Sequence, residues 1–419
     1  MIYIKREIED EIVKWLDSKE IIAIRGTRQC GKTTFLKRIS EILINKKVSK
    51  DNIHMISFED DFEKEKFEKN PKEYINYFIG DNIGKGVGAE SSKHYFLLDE
   101  VQYIKNAGKI IKLTYDEIEN IKIIITGSST LDLNEIGSYL VGRVLLFEMY
   151  PFSFSEFLES KDNKLYNYYK KKKINLIDKK IMLEEPLYLD LLNKMLKEYV
   201  LFGGYPAIVL EKDSERKKFL LKNLFLTYIE KDIVKVYGSK YKQKIIDLIK
   251  YLSIINSNIL NYNEIARITG LYDKEIKEIL HILEETYVIR LIKPYHKNHV
   301  TELKKNPKIY FIDTGLRNFM VDRFDFSDEE YGRLLENFVF LKIKKEKVNY
   351  WRTTAKAEVD FILNEKIPIE SKMSVKLTRS FRSFIETYNP DKAFLVNLKV
   401  TKKDKINGTN IFIVPYSLI

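Results

Sequence analysis

Residues Gly26, Thr27, Arg28, Gln29, Cys30, Gly31, Lys32, Thr33 and Thr34 fit the spacing G-x-x-x-x-G-K-[ST]. In such a loop the backbone N–H groups wrap phosphates, the lysine reaches the β and γ phosphates, and the hydroxyl after it holds Mg²⁺. The stretch from Gly26 to Thr34 is therefore the expected nucleotide-binding segment, with ATP and Mg²⁺ as its cofactors. A second pair fits the same chemistry, because the apolar run KHYFLLDE ends in Asp99 and Glu100. The first carboxylate can enter the Mg²⁺ shell and the second can polarise the attacking water. Lys32, Thr33, Asp99 and Glu100 form the expected hydrolytic set. The run IKIIITGSS ends instead in small hydroxyl residues. There Ser128 or Ser129 either senses the γ phosphate or caps the following helix.

The elements that must position these groups are legible around them. EIIAIRG (Glu20 to Gly26) is an apolar run of strand length, and FLKRISEILI (Phe35 to Ile44) has apolar residues at helical spacing. Strand, glycine loop and helix follow in the order that puts an anion on a helix N-terminus. NIHMISFED (Asn52 to Asp60) and GRVLLFEMY (Gly142 to Tyr150) add further strands, so at least five strands alternate with helical segments. That alternation predicts an α/β fold with a parallel sheet covered by helices on both faces.

With GTRQCGKTT, LLDEVQ and ITGSS, the chain carries LVGRVLLFEMYPFSFSEFL, FGGYP, YIEKDI, KNPKIYFIDTGLRN, LLENFV and AEVDFIL. Together these resemble the prokaryotic AAA+ ATPases with a C-terminal domain of unknown function related to PD-(D/E)XK nucleases. The resemblance spans nearly the whole chain and implies a P-loop AAA+ core over residues 1–158 and a helical lid over 159–233. In that family Arg143 matches a recurrent Gly-Arg after the sensor strand, which makes it a candidate arginine finger; the alternative is a salt-bridged sheet residue.

Beyond Pro151 the parallel-strand rhythm stops. Lys170 to Lys173 read as a solvated face rather than a phosphate site. Residues 234–300 show helix, helix, turn, helix and a strand pair, a winged-helix pattern in which Asn263 and Asp273 are expected caps and Gly270 a helix stop. The third helix, Asp273 to Glu285, carries five acids against two lysines. This argues against major-groove reading by that helix and for protein packing.

Residues 301–419 form the expected nuclease-like α/β domain. If Asn364, Glu365 and Lys366 make a three-residue turn, Leu363 pairs with Ile367 and Asp360 falls opposite Glu370. The two carboxylates then converge on a candidate Mg²⁺ site, with Lys372 placed to stabilise charge or orient water. Asp360, Glu370 and Lys372 fit the PD-(D/E)XK spacing, and Glu336 on the preceding helix matches the extra acid of those nucleases. From Ile367 to Ile419 seven Lys and two Arg stand against four acids, which suits a phosphate-rich ligand.

The 419 residues predict two to four domains, and the formal charge of +11 is compatible with a nucleic-acid partner without requiring one. No apolar run reaches the length of a membrane helix, the N-terminus is charged, and the single cysteine, Cys30, has no intramolecular disulfide partner. A cytoplasmic protein away from membranes is expected, with ATP, DNA, and a protein partner or further copies of the chain as partners. Three functions follow: an ATPase coupled to a DNA-contacting nuclease-like module, a nucleotide-regulated scaffold on an inert nuclease fold, and a metal-dependent endonuclease.

Overall fold

Alternate residues of Ile21–Gly26 (β1) point to opposite apolar layers, and this explains why a continuous hydrophobic run folds as a central strand. Ile21 and Ala23 join Phe96, Leu98, Ile123 and Ile125 on one side. Ile22 and Ile24 join Leu97, Ile124, Phe35, Leu36 and Ile39 on the other. A sheet buried on both faces needs strands without polar alternation. The computed structural model describes residues 3–80, 93–127, 137–229, 238–295 and 305–419.

The other strands of this sheet are Ile53–Ser57 (β2), His94–Asp99 (β3), Ile121–Gly127 (β4) and Val144–Met149 (β5). Their order is β2-β3-β4-β1-β5, and every neighbouring pair is parallel. Strand β1 therefore lies between β4 and β5, and its C-terminal end is adjacent to the ends of both. The first compact unit comprises residues Met1–Pro151 with Glu285–Tyr287, and the second Phe152–Glu284 with Val288–Ile419. The segments expected as lid and nuclease-like domain belong to the second unit, as does the expected winged helix apart from Glu285–Tyr287.

The second unit opens with the helix Phe154–Lys161, whose Ser153 and Glu156 form a reciprocal capping box. Lys170, Lys171 and Lys172 end the helix Asn163–Lys172, where cations suit the negative end of the dipole. The helices Lys242–Ile254, Tyr262–Thr269 and Asp273–Glu285 precede the antiparallel pair Ile289–Ile292 (β6) and Lys308–Phe311 (β7). Asn261, not Asn263, caps the second of these helices: its side chain accepts from Glu264 N, which moves the helix start two residues upstream. Gly270 ends that helix in a left-handed conformation, as its spacing suggested. Strand β7 pairs with β6, so this strand pair continues past residue 300.

The C-terminal sheet consists of Val348–Arg352 (β8), Glu358–Leu363 (β9), Ile367–Ser371 (β10), Lys392–Asn397 (β11), Lys402–Ile406 (β12) and Thr409–Pro415 (β13). Its order is β12-β13-β11-β10-β9-β8. Strands β8, β9 and β10 form an antiparallel meander, and β10 and β11 are parallel across the helix Arg379–Tyr388. The pairs Leu363 with Ile367 and Phe361 with Ile369 set the register of the central turn. Phe381, Phe384 and Ile385 of the helix pack on Trp351, Val359, Leu395 and Ile413 of the sheet.

Two sequence motifs of this unit meet at one buried carboxylate. Asp313 accepts from Gly204 N at 2.7 Å and from Leu316 N at 2.8 Å, which ties FGGYP to the helix Thr314–Met320. A Cβ on Gly315 would stand 2.0 Å from Phe202 O, so the close approach of the two segments requires glycine there. Asn318 completes the junction by donating to Val200 O and Leu201 O, each at 2.9 Å.

Candidate functional site

At the C-terminal end of β1 the chain turns through Thr27–Gly31 into the helix Lys32–Asn45. Gly26 lies so close to β5 that a Cβ would fall 1.9 Å from Met149 O. Gly31 adopts φ +99°, a conformation that side chains disfavour. The loop is clamped by a residue that motif reading missed. The buried Arg6 guanidinium donates to Cys30 O at 2.7 Å and to Tyr150 O at 2.6 Å, and Cys30 Sγ contacts Met149 O at 3.4 Å. The carbonyls thus face inward to protein donors.

Lys32 is buried and its ammonium donates to Gly26 O at 3.1 Å and Thr27 O at 2.9 Å, so it spans the loop it belongs to. Thr33 Oγ1 donates to Asp99 Oδ2 at 2.6 Å. Asp99 is 3% exposed, and its other oxygen accepts from Thr126 Oγ1. The same Thr126 hydroxyl accepts from Glu100 N at 3.2 Å. Glu100 sits in a left-handed conformation at φ +56°, and Gln102 Nε2 donates to its carboxylate. The structure therefore brings Lys32, Thr33, Asp99 and Glu100 to the C-terminal end of the central strands and adds Thr126.

Ser128 and Ser129, the serines proposed as sensors, lie outside the described residues. Thr126, two positions earlier, is the hydroxyl that touches Asp99; as the last β-branched polar residue of a buried strand it was open to discovery. Arg143 is not brought to this end of the sheet. Its backbone carbonyl accepts from Ile21 N at the opposite end of β1, and its guanidinium pairs with Asp116 at 2.8 Å on the surface. The parallel pairing of β1 with β5 puts the length of the strand between Arg143 and Gly26.

Thr33 and Asp99 suit a Mg²⁺ ion carried with a nucleotide: a hydroxyl and a carboxylate within hydrogen-bond distance at a helix N-terminus. The C-terminal acids have a different environment. Asp360 Oδ2 accepts from Ser371 N at 2.8 Å, and Thr378 Oγ1 donates to Glu370 Oε1 at 3.1 Å. Lys372 Nζ stands 3.6 Å from Glu370 and 3.9 Å from Asp360. Glu336 lies in the same cluster, but it accepts from Tyr310 OH at 2.7 Å and from Lys308 Nζ at 2.8 Å. Lys308 also reaches Glu358 at 2.9 Å and Asp360 at 3.6 Å. Among the described residues no group of three or more His, Cys, Asp or Glu side chains is arranged to hold a metal ion. Asp360, one of the two acids of the candidate Mg²⁺ position, thus faces a buried lysine that the motif did not include.

Burial and the neighbouring Asp360 charge push the Glu370 carboxyl up to about 8. Burial works against the Lys308 ammonium, yet the surrounding carboxylates, Glu336 foremost, hold it well above the usual lysine range. Lys372 is raised as well, by Asp360 first.

Residues 18–158 match a family described as an AAA domain. Residues 193–327 and 331–419 match two domains of unknown function, DUF8612 and DUF4143. An uncharacterized protein of Methanocaldococcus jannaschii is 29% identical over 429 aligned positions, covering 99% of this chain and 85% of that protein. An uncharacterized protein of Haemophilus influenzae is 26% identical over 360 residues, covering 84% of this chain and 81% of that one. Among solved structures, the Aeropyrum pernix ORC1 protein in complex with DNA aligns at a TM-score of 0.27 and 10% identity, covering 80% of this chain and 95% of that chain. The first unit is thus an AAA-type P-loop core, an assignment resting on the family match, the sheet order and the loop. No helix among the described residues is long and apolar enough to cross a membrane.

Proposed function

We propose that this chain binds Mg-ATP at Gly26–Thr34 and hydrolyses it, coupling the cycle to its C-terminal nuclease-like module. The observation that carries this reading is the contact of Thr33 with Asp99, flanked by Lys32 and Glu100. Lys32, freed from the carbonyls of Gly26 and Thr27, neutralises the β and γ phosphates. Thr33 and Asp99 would hold Mg²⁺, which would supply charge neutralisation for the nucleotide. Glu100 accepts a proton from the attacking water, and Thr126 keeps the carboxylate pair in register through Asp99 Oδ1 and the Glu100 amide. Arg143 acts on a nucleotide only if another copy of the chain presents one to it.

For the C-terminal module the αβββαβ order from Asp328 to Asn397 supports a nuclease-like fold, and the three helices with the β6–β7 pair support a winged helix before it. A scaffold role, with DNA or protein gripped rather than cut, is favoured over endonuclease action by the position of Lys308. The excess of Lys and Arg from Ile367 onward supports a phosphate-rich ligand. The test is a paired assay of ATP turnover and DNA integrity, with single-stranded, duplex and branched DNA present in turn. The reading expects turnover that Lys32→Ala abolishes, altered by at least one DNA form, with every DNA left intact. Turnover unchanged in Lys32→Ala contradicts the ATPase assignment.

A further inference from the structure

We infer that the Lys308 ammonium is the resident cation of the carboxylate cluster Glu336, Glu358 and Asp360, so that the C-terminal module holds no catalytic divalent ion. Lys308 is 2% exposed and stands at the first position of β7. Its nitrogen lies 2.8, 2.9 and 3.6 Å from oxygens of three carboxylates contributed by a helix and by β9. Those oxygens converge on the ammonium, which is where a metal ion shared by these three acids would have to stand. Mg²⁺ needs oxygens at about 2.0–2.1 Å and usually keeps several waters. A buried nitrogen on a four-carbon stem leaves no volume for either.

The lysine is also fixed. Phe311 N donates to Asn337 Oδ1 and Asn337 Nδ2 donates to Phe311 O, both at 2.8 Å, which pins β7 to the helix Asp328–Ile343. Tyr310 stacks on Phe340 with centroids 4.7 Å apart and donates its hydroxyl to Glu336. Lys308 and Tyr310 are two residues apart on one strand and thus share a face, so a single element supplies both donors to Glu336. Expelling Lys308 would mean detaching β7 and leaving a buried charge cluster uncompensated. Glu370 Oε2 is the one oxygen of these acids that stands buried without a partner. A single oxygen is no coordination set, and Lys372 balances that corner.

Every residue in this inference belongs to the second unit, so it stands apart from ATP hydrolysis. The test is Mn²⁺ binding to the nucleotide-free full chain, read from the loss of the free-ion spectrum by electron paramagnetic resonance. Wild type and Asp360→Asn are expected to bind Mn²⁺ equally, any binding at Thr33 and Asp99 being common to both. Lys308→Gln is expected to gain about one equivalent that Asp360→Asn then removes. Should that variant fail to fold, Lys308→Gln with Glu358→Gln removes one charge of each sign and takes its place. A wild-type Mn²⁺ site lost in Asp360→Asn overturns the inference. So does a folded lysine variant that gains no metal, or Mn²⁺-dependent DNA cleavage by wild type that Lys372→Ala eliminates.

Discussion

Thr126 carries more of the proposed nucleotide site than its size suggests, because one hydroxyl serves two carboxylate residues: it donates to Asp99 and accepts from the Glu100 amide. Thr126→Val keeps the β-branched shape and removes both bonds. Nucleotide affinity is expected to change little, while turnover falls by about ten- to a hundredfold through misplacement of Glu100. Single-turnover kinetics beside equilibrium binding separate the two effects, and an unchanged rate contradicts the role. The four hydrolytic candidates were legible because their spacing is dictated by phosphate geometry and not by the rest of the chain. Thr126 was passed over for Ser128 because the sequence marks where apolar residues stop, whereas the site uses a hydroxyl still inside the strand. Lys308 was illegible for another reason. It stands far upstream of Asp360 and Glu370, and only the placement of β7 beside the helix Asp328–Ile343 brings it to them.

At the scale of elements, the phosphate loop is held by a residue outside its motif. Arg6→Ala strips donors from Cys30 O and Tyr150 O, both buried, and the expected loss is about 2–4 kcal/mol, with weaker ATP binding beside it. Chemical denaturation and nucleotide titration check the pair of effects, and a variant as stable as wild type contradicts the clamp. The junction of FGGYP with the helix Thr314–Met320 yields a pH dependence. Burial raises the Asp313 carboxyl from 3.8 to about 6 against three opposing backbone amides. Between these values the folded chain binds more protons than the unfolded one, so this group's stabilisation is complete below about pH 4 and lost as pH rises through about 6. The stability of wild type relative to Asp313→Asn is expected to fall by roughly 2–3 kcal/mol from pH 4 to pH 7. A constant difference contradicts it. The strands of the first sheet and the Leu363–Ile367 turn were readable from apolar periodicity and turn length, whereas β11, β12 and β13 were not read. The Asn261 cap was not, since two asparagines flank Tyr262 and only the backbone decides which one turns inward.

In the whole molecule an AAA-type core, matched over residues 18–158, is followed along the chain by a second unit whose carboxylate cluster holds a lysine. The function proposed for the core is ATP hydrolysis by Lys32, Thr33, Asp99 and Glu100. The most direct measurement is steady-state ATP turnover by the purified full chain and by Glu100→Gln, with ATP affinity determined for both. The exchange keeps size and hydrogen bonding and removes the base, so turnover is expected to fall by about two orders of magnitude or more while ATP and Mg²⁺ still bind. A Glu100→Gln chain that hydrolyses ATP at the wild-type rate contradicts the account, as does a wild-type chain that binds ATP and never turns it over.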